Sequence, residues 1–254
     1  MFSYWRPPEQ NQGVGIAFTD RFGGFSRGTF AELNLGRTDV DDPAAVAASF
    51  RAVTAAIGVD HVATARQTHS TIVYPVAGPQ DWPPGAELGS SLPGGRRLPE
   101  ADALITRAPG VALCIRVADC VPVLLADSQA RVVAAAHAGR VGLVAGVLEA
   151  TLDALEQAGA RQVSAWIGPH VCGRCYEVPS EMAEQVAARV PATRSRTREG
   201  TASLDLGAGC VAILRSRQVE VRDVGRCTLE SPDLHSHRRD GAGAGRLAGL
   251  VWLG

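Results

Sequence analysis

The sequence contains no lysine: all 25 of its basic side chains other than histidine are arginine. That absence excludes a Schiff-base lysine and any lysine contact to phosphate. Only two methionines are present, Met1 and Met182. Both lie far in sequence from the motifs described below, so no axial thioether for a copper centre is evident. Charges of the two signs nearly balance, and the net value is −1. Nothing there would hold nucleic acid or an anionic membrane. No apolar run approaches a membrane span, because residues 111–126 are interrupted by Arg116 and Asp119. Residues 1–8 lack the apolar core of a signal peptide. These absences point to the cytoplasm, where the six cysteines are read as core thiols or metal ligands rather than disulfides.

What is present suffices for a normal core: 46% of the 254 residues are hydrophobic. The chain is organised around residues 118–139. Two short apolar runs, 121–126 and 132–136, flank the polar break Asp127-Ser128-Gln129. Such runs around a turn signal predict a β-hairpin. Centred on Ser128-Gln129, it would pair residue i with residue 257 − i and set Cys120 opposite His137. Opposed side chains on an antiparallel pair have Cβ atoms roughly 4.5–5.5 Å apart. That separation suits two ligands of one metal ion, a nucleophilic cysteine beside its base, or a buried thiol facing a hydrogen-bonded histidine.

Along the rest of the chain, strands are predicted at 14–19, 62–65, 72–76, 102–106, 111–117, 163–167, 219–224 and 246–253. Asp42-Pro43 opens a helix that stops at Gly58. Further helices are expected at 141–158, with Gly142 and Gly146 on one sheet-facing side, from Ser180 as its cap to about 190, and from Asp205 to about 215. Residues 77–100, rich in Pro and Gly, read as an irregular surface loop, and 191–203 as an exposed polar segment. The pattern predicts an α/β or α+β fold: one mixed domain over 1–254, with layered β-sheets flanked by helices and a central hairpin.

Catalytic zinc takes three protein ligands and keeps one position open. Cys120 and His137 would supply two. His69, among polar residues after a strand, is the best third by context, with His61, His170, His235 and His237 as alternatives. Cys172 and Cys175 form a Cys-x-x-Cys that with Cys210 and Cys227 would suffice for a structural zinc. Those last two are not closely spaced, so core or pocket thiols are the reading adopted.

Several segments together resemble the signatures of one family. They are Thr19-Asp20-Arg21-Phe22-Gly23-Gly24-Phe25-Ser26, Asn34-Leu35-Gly36, Gln67-Thr68-His69, Ala118-Asp119-Cys120-Val121-Pro122, His137-Ala138-Gly139, Ile167-Gly168-Pro169, Tyr176-Glu177-Val178 and the run from Ser236 to Arg246. The family is the laccase-domain or polyphenol oxidase group (YfiH-type), regarded as purine nucleoside phosphorylases with adenosine deaminase activity. The resemblance implies a metal site of His69, Cys120 and His137, usually zinc, with copper as the other candidate. It implies phosphorolysis of adenosine, inosine and methylthioadenosine, deamination of adenosine, and a single mixed α/β domain. Purine nucleosides and phosphate would be the partners, in a monomer or homodimer. Arg21, Asn34, Arg66, Gln67 and Arg238 are the candidate substrate-binding residues, with the arginine forks suited to phosphate. Members commonly continue His-Ala-Gly with Trp-Arg-Gly, whereas this chain has Arg140-Val141-Gly142, which alters a pocket wall.

Other readings stay open beside this one. A cysteine hydrolase would use Cys120 as nucleophile and His137 as base. A role in editing peptidoglycan precursors is linked to related proteins. Ligand count speaks against multicopper oxidation, which needs several further histidine ligands, whereas only His235/His237 form a His-x-His pair. For deamination, Asp119 is the carboxylate nearest in sequence, although strand alternation would turn it away from Cys120.

Overall fold

The computed structural model describes residues 1–36, 39–85, 92, 95 and 97–254. In chain order it contains β1 (Phe2–Arg6), β2 (Val14–Thr19), α1 (Pro43–Ile57), β3 (His61–Ala63), β4 (Val73–Pro75), β5 (Ala103–Thr106), β6 (Val111–Val117), β7 (Val121–Asp127) and β8 (Val132–Ala138). There follow α2 (Arg140–Ala145), α3 (Val147–Gln157), β9 (Ser164–Ile167), α4 (Ser180–Arg189), β10 (Arg194–Arg196), β11 (Ala202–Leu204), α5 (Leu206–Ser216), β12 (Glu220–Asp223), α6 (His237–Asp240) and β13 (Leu247–Leu253). One sheet runs β1-β2-β13-β6-β3 and a second runs β12-β9-β7-β8-β5-β4, with β10-β11 as a separate ribbon.

Side-chain alternation explains the layering. Leu124, Ala126, Val133 and Ala135 of the second sheet meet Ile16, Phe18, Leu113 and Ile115 of the first in an apolar layer between the sheets. The other face of β7 and β8, with Val121, Val123, Leu125, Ala134 and Ala136, packs on Leu148, Leu152 and Leu155 of α3 and on Cys210 and Leu214 of α5. The outer face of the first sheet is covered by Val46, Phe50 and Val53 of α1. Each fully buried Leu or Ile contributes roughly 1.5–3 kcal/mol relative to exposure, so the two continuous apolar faces of β7 and β8 fix the hairpin between two layers. The result is the mixed α/β fold of layered sheets and helices.

The local grammar of α1 holds: Asp42 accepts the amide of Ala44, Pro43 begins the helix, and Gly58 ends it at φ 71°. Asp205 likewise caps α5 through Ala208 N. Five expectations need correction. The hairpin pairs Val121 with Ala138 and Pro122 with His137, a register two residues beyond the expected one. Its turn holds four residues, because the Asp127 carboxylate accepts the amides of Gln129 and Ala130 and Arg131 takes φ 50°. The helix expected over 141–158 is broken at Gly146, whose φ of 99° separates α2 from α3. Ser180 is the first residue of α4, preceded by Pro179, and its side chain caps nothing. The segment 191–203 forms the β10–β11 ribbon. Within 77–100, Trp82 and Leu92 are buried in the layer between the sheets, while 86–91, 93, 94 and 96 lie outside the described residues. Strand β1 has no counterpart in the sequence reading. It is a half-buried edge strand without strong alternation.

Candidate functional site

The shifted register keeps Cys120 and His137 together because the displacement is two residues, one full period of a strand. Cys120 stands just before β7 and reaches His137 diagonally. His69 arrives from the loop between β3 and β4. Its backbone is left-handed, φ 61°, unusual for a residue with a β-carbon. The cause is one carboxylate. Asp102, wholly buried at the start of β5, accepts the backbone amides of Thr68 at 3.0 Å, His69 at 3.0 Å and Ser70 at 2.6 Å, and the Ser70 hydroxyl at 2.8 Å. His137 Nδ1 donates to the same carboxylate at 2.8 Å. Asp102 therefore shapes the loop that bears His69 and orients the His137 ring, leaving its Nε2 for the site.

The nearest ligand atoms of His69, Cys120 and His137 all lie within 4.8 Å of one another. His69 Nε2 is 3.9 Å from Cys120 Sγ, and the two imidazole rings meet edge to face at 4.8 Å. Gly139 leaves the space for this cluster. A β-carbon there would sit 2.5 Å from His69 Cδ2 and 3.1 Å from Cys120 Sγ. His137 is buried, Cys120 half-buried and His69 exposed, so the group forms the floor of an open site.

Burial alone would neutralise these groups, but their partners outweigh it. Asp102 is held well below the usual carboxylate range: desolvation opposes its charge, and the hydrogen bonds of His137, Ser70 and Thr68 overcome that penalty. The Cys120 thiol, raised by burial, is pulled down to about 6 by His137 and His69. His137, lowered by burial, is pushed up to about 9 by Asp102 and the Cys120 sulfur. Both shifts favour a thiolate on Cys120 beside an imidazolium on His137, with the Asp102 carboxylate behind the ring. The three residues suit a thiophilic divalent ion: one thiolate, two imidazoles, one ring seated by a carboxylate, and an exposed side left over.

The other sequence candidates fall into two groups. Arg238 starts next to the cluster. Its amide donates to Asp119 Oδ2 at 2.6 Å, its guanidinium lies 5.1 Å from the Tyr176 ring centroid, and Nη1 donates to Glu177 O. Gln67, Asn34, Arg21 and Arg66 are engaged in local structure. Gln67 pairs both ends of its amide with the backbone of Arg116 at 2.8 and 2.9 Å. Asn34 is buried, accepts the amides of Gly36 and Arg246, and donates to Asp41. Arg21 donates to the carbonyls of Ala31 and Thr29, and Arg66 forms an exposed ion pair with Glu100 at 2.8 Å. Asp119 has both oxygens occupied, by Thr228 Oγ1 and Arg238 N. His61, His170, His235 and His237 each place a ring nitrogen against a backbone carbonyl. A cavity of about 810 Å³ lies at the far end of the hairpin, beside Asp127, Arg161 and Arg217, and touches none of the three ligands.

Residues 15–254 match the family described as multi-copper polyphenol oxidoreductase laccase. The chain belongs to this laccase-like family. Its relatives include a protein of Streptomyces griseus named purine nucleoside phosphorylase, 48% identical over 94% of both chains. A purine nucleoside phosphorylase of Streptomyces coelicolor is 46% identical over 95% of this chain and 96% of its own. Among solved structures, a Neisseria meningitidis protein superposes with a TM-score of 0.80 at 33% identity, over 100% of this chain and 98% of its own. Bacillus licheniformis YfiH does so with 0.81 at 26% identity, over 98% and 96%. The layered fold is thus that of the laccase-like family. No helix among the described residues is long and apolar enough to cross a membrane.

The sequence reading of this family member missed Asp102. A signal was present. Asp102 shares its strand face with Leu104, which packs between the sheets, so period two already turned a carboxylate inward.

Proposed function

We propose that the protein is a metal-dependent purine nucleoside phosphorylase that also deaminates adenosine. One zinc ion would be held by His69, Cys120 and His137, and purine nucleosides and phosphate would be the substrates. The observation that carries this reading is the convergence of those three side chains around a shared carboxylate, in a chain whose relatives are named purine nucleoside phosphorylases. A zinc ion there supplies Lewis acidity that activates water or polarises a substrate atom. Copper is the alternative occupant of the same donor set.

The chain's own residues divide the remaining work. Asp102 keeps Nδ1 of His137 engaged, so the ring stays fixed while Nε2 faces the reaction space. Gly139 gives that space its floor. Arg238 is the proposed phosphate ligand. Its guanidinium sets one nitrogen on the Glu177 carbonyl and its face on Tyr176, and its backbone amide ties it to Asp119 beside Cys120. Arg21 and Arg66 are already tied to carbonyls or a carboxylate. The oxidase chemistry in the family's description draws less support here. Of the six histidines, all among the described residues, His69 and His137 alone join a group of three or more metal-ligating side chains.

The test is product analysis by mass spectrometry with adenosine, with and without phosphate. Adenine and ribose 1-phosphate should form only with phosphate, and inosine should form without it. Arg238→Ala should weaken phosphate use by a factor on the order of 10–100, from the loss of about 1.5–3 kcal/mol in a charge-assisted contact. Deamination should be nearly unchanged. Equal loss of both reactions, with the fold retained, rules out a phosphate-only role for Arg238.

A second reading has its own support. Cys120, His137 and Asp102 form a chain of thiol, imidazole and orienting carboxylate, the layout of a cysteine hydrolase. A chelator separates the two: the hydrolase keeps its activity, and the phosphorylase loses it.

A further inference from the structure

A second group of ligating side chains lies outside the cluster of His69, Cys120 and His137. The segment after β9 makes a tight turn in which the amide of Cys175 donates to Cys172 O at 2.9 Å, bringing Cys172 and Cys175 to one side. The segment after β12 is bridged to it in parallel at His170 and Cys227. Thr228 N donates to His170 O, and Ser231 N donates to Cys227 O. The second segment thus presents Cys227 and Glu230 as a Cys-x-x-Glu turn facing the Cys-x-x-Cys turn. The four ligand atoms lie within 4.8 Å of one another. Ligands 2.3 Å from a central ion at tetrahedral corners are about 3.8 Å apart, so only a small contraction is needed.

Two contacts already foreshadow the arrangement. Cys172 N donates to Cys227 Sγ at 3.4 Å, and Cys175 Sγ lies 3.3 Å from Glu230 Oε1. Cys210, grouped with this pair in the sequence reading, is instead buried in the core against α3 and takes no part.

We propose that Cys172, Cys175, Cys227 and Glu230 bind a second, structural zinc ion. Four protein donors fill a tetrahedron and leave no open position, which is the pattern of structural rather than catalytic zinc. Binding displaces the three thiol protons to solvent. Three thiolates and a carboxylate leave two negative charges in excess of the zinc, and Arg198, ion-paired to Glu230, offsets one of them. The Cys-x-x-Cys turn has no slack of its own. A β-carbon at Gly173 would lie 2.7 Å from Asp205 Cβ and 2.6 Å from Ser195 Oγ.

The position of this knuckle gives it a purpose. The residue after Cys227 is Thr228, which bonds Asp119 beside Cys120. The residue after Cys175 is Tyr176, on which Arg238 stacks. An ion at the knuckle would therefore fasten two loops that frame the first cluster without touching substrate.

The test is zinc content by elemental analysis after saturation with zinc and removal of the excess. Wild-type protein should hold about two ions per chain. His69→Ala/Cys120→Ala should keep about one, and so should Cys175→Ser/Cys227→Ser. Glu230→Gln should keep both ions but lose the second to a chelator on the order of 10-fold more readily. If the cysteine double variant does not fold, thiol alkylation of wild-type protein decides. Zinc should shield Cys172, Cys175 and Cys227, and chelation should expose them. Equal labelling with and without zinc overturns the proposal. So does a zinc content unchanged in Cys175→Ser/Cys227→Ser, or a disulfide within this trio in protein purified under reducing conditions.

Discussion

A buried carboxylate stands near each end of the β7–β8 hairpin, Asp127 in its own turn and Asp102 at the start of the neighbouring β5, and the two do different work. At the turn, Asp127 accepts four backbone amides, those of Gln129, Ala130, Arg161 and Gln162. It binds chain to chain and nothing else. At the open end, Asp102 accepts three backbone amides, the Ser70 hydroxyl and, more distantly, the Thr68 hydroxyl, and it also takes a bond from His137. The same device, a carboxylate satisfied by amides, becomes part of a reactive site when one lone pair is given to an imidazole. Burial cost and hydrogen-bond gain are of the same kind at both ends. What differs is whether a side chain with chemistry of its own is among the donors.

The sharpest way to break the comparison is Asp102→Ala. It strands the three amides and leaves buried His137 without its partner, which should cost about 3–5 kcal/mol of folding stability. Denaturant unfolding reads this directly. Asp102→Asn keeps the volume and should lower metal affinity about 10–100-fold, because the ring of His137 loses its anchor. Metal affinity equal to wild type in Asp102→Asn would show that the two ends are alike after all.

Asp127→Ala should destabilise by about 1–3 kcal/mol through unsatisfied amides, with metal content unaltered. A loss of metal there would mean that the turn sets the register on which the Cys120–His137 approach depends. The smallest effect is in pH. Burial opposes charge on Asp127, and four amide bonds outweigh it, so its carboxyl sits below the ordinary range. A depressed folded-state value means that the contribution is fully present above about pH 4 and fades as pH falls through the folded value. The stability gap between wild type and Asp127→Asn should therefore narrow steadily on acidification below about pH 4. A gap that stays constant down to pH 2 would remove ionisation from the account of that turn.

Much of this hairpin was legible in the sequence. The apolar runs and the polar break gave both strands and their common face, because period-two alternation survives an even shift of register. The turn length was not legible. It depends on the Asp127 side chain competing for amides in the loop and on those of Arg161 and Gln162, which are distant in sequence. The grouping of Cys120 with His137 followed from pattern. The joining of His69 to them rested on its polar context after a strand and on a resemblance, since no local rule brings the β3–β4 loop to β8. That link is Asp102, and its bonds reach 32 to 35 residues along the chain. The cysteine knuckle was half visible. Cys172 and Cys175 announced themselves by spacing and Cys227 was named beside them, but Glu230 in place of Cys210 follows only from the parallel bridge at His170.

The left-handed backbone at His69 has a thermodynamic consequence. Its conformation is fixed by Asp102 through three consecutive amides, independently of anything that occupies the cluster. A ligand arriving at His69, Cys120 and His137 meets a receptor already assembled, and no loop has to order around it. Occupation should then proceed with a heat-capacity change near zero, in contrast to the large negative value of coupled folding and binding. Its association rate should depend little on temperature beyond the shedding of water from the incoming ion.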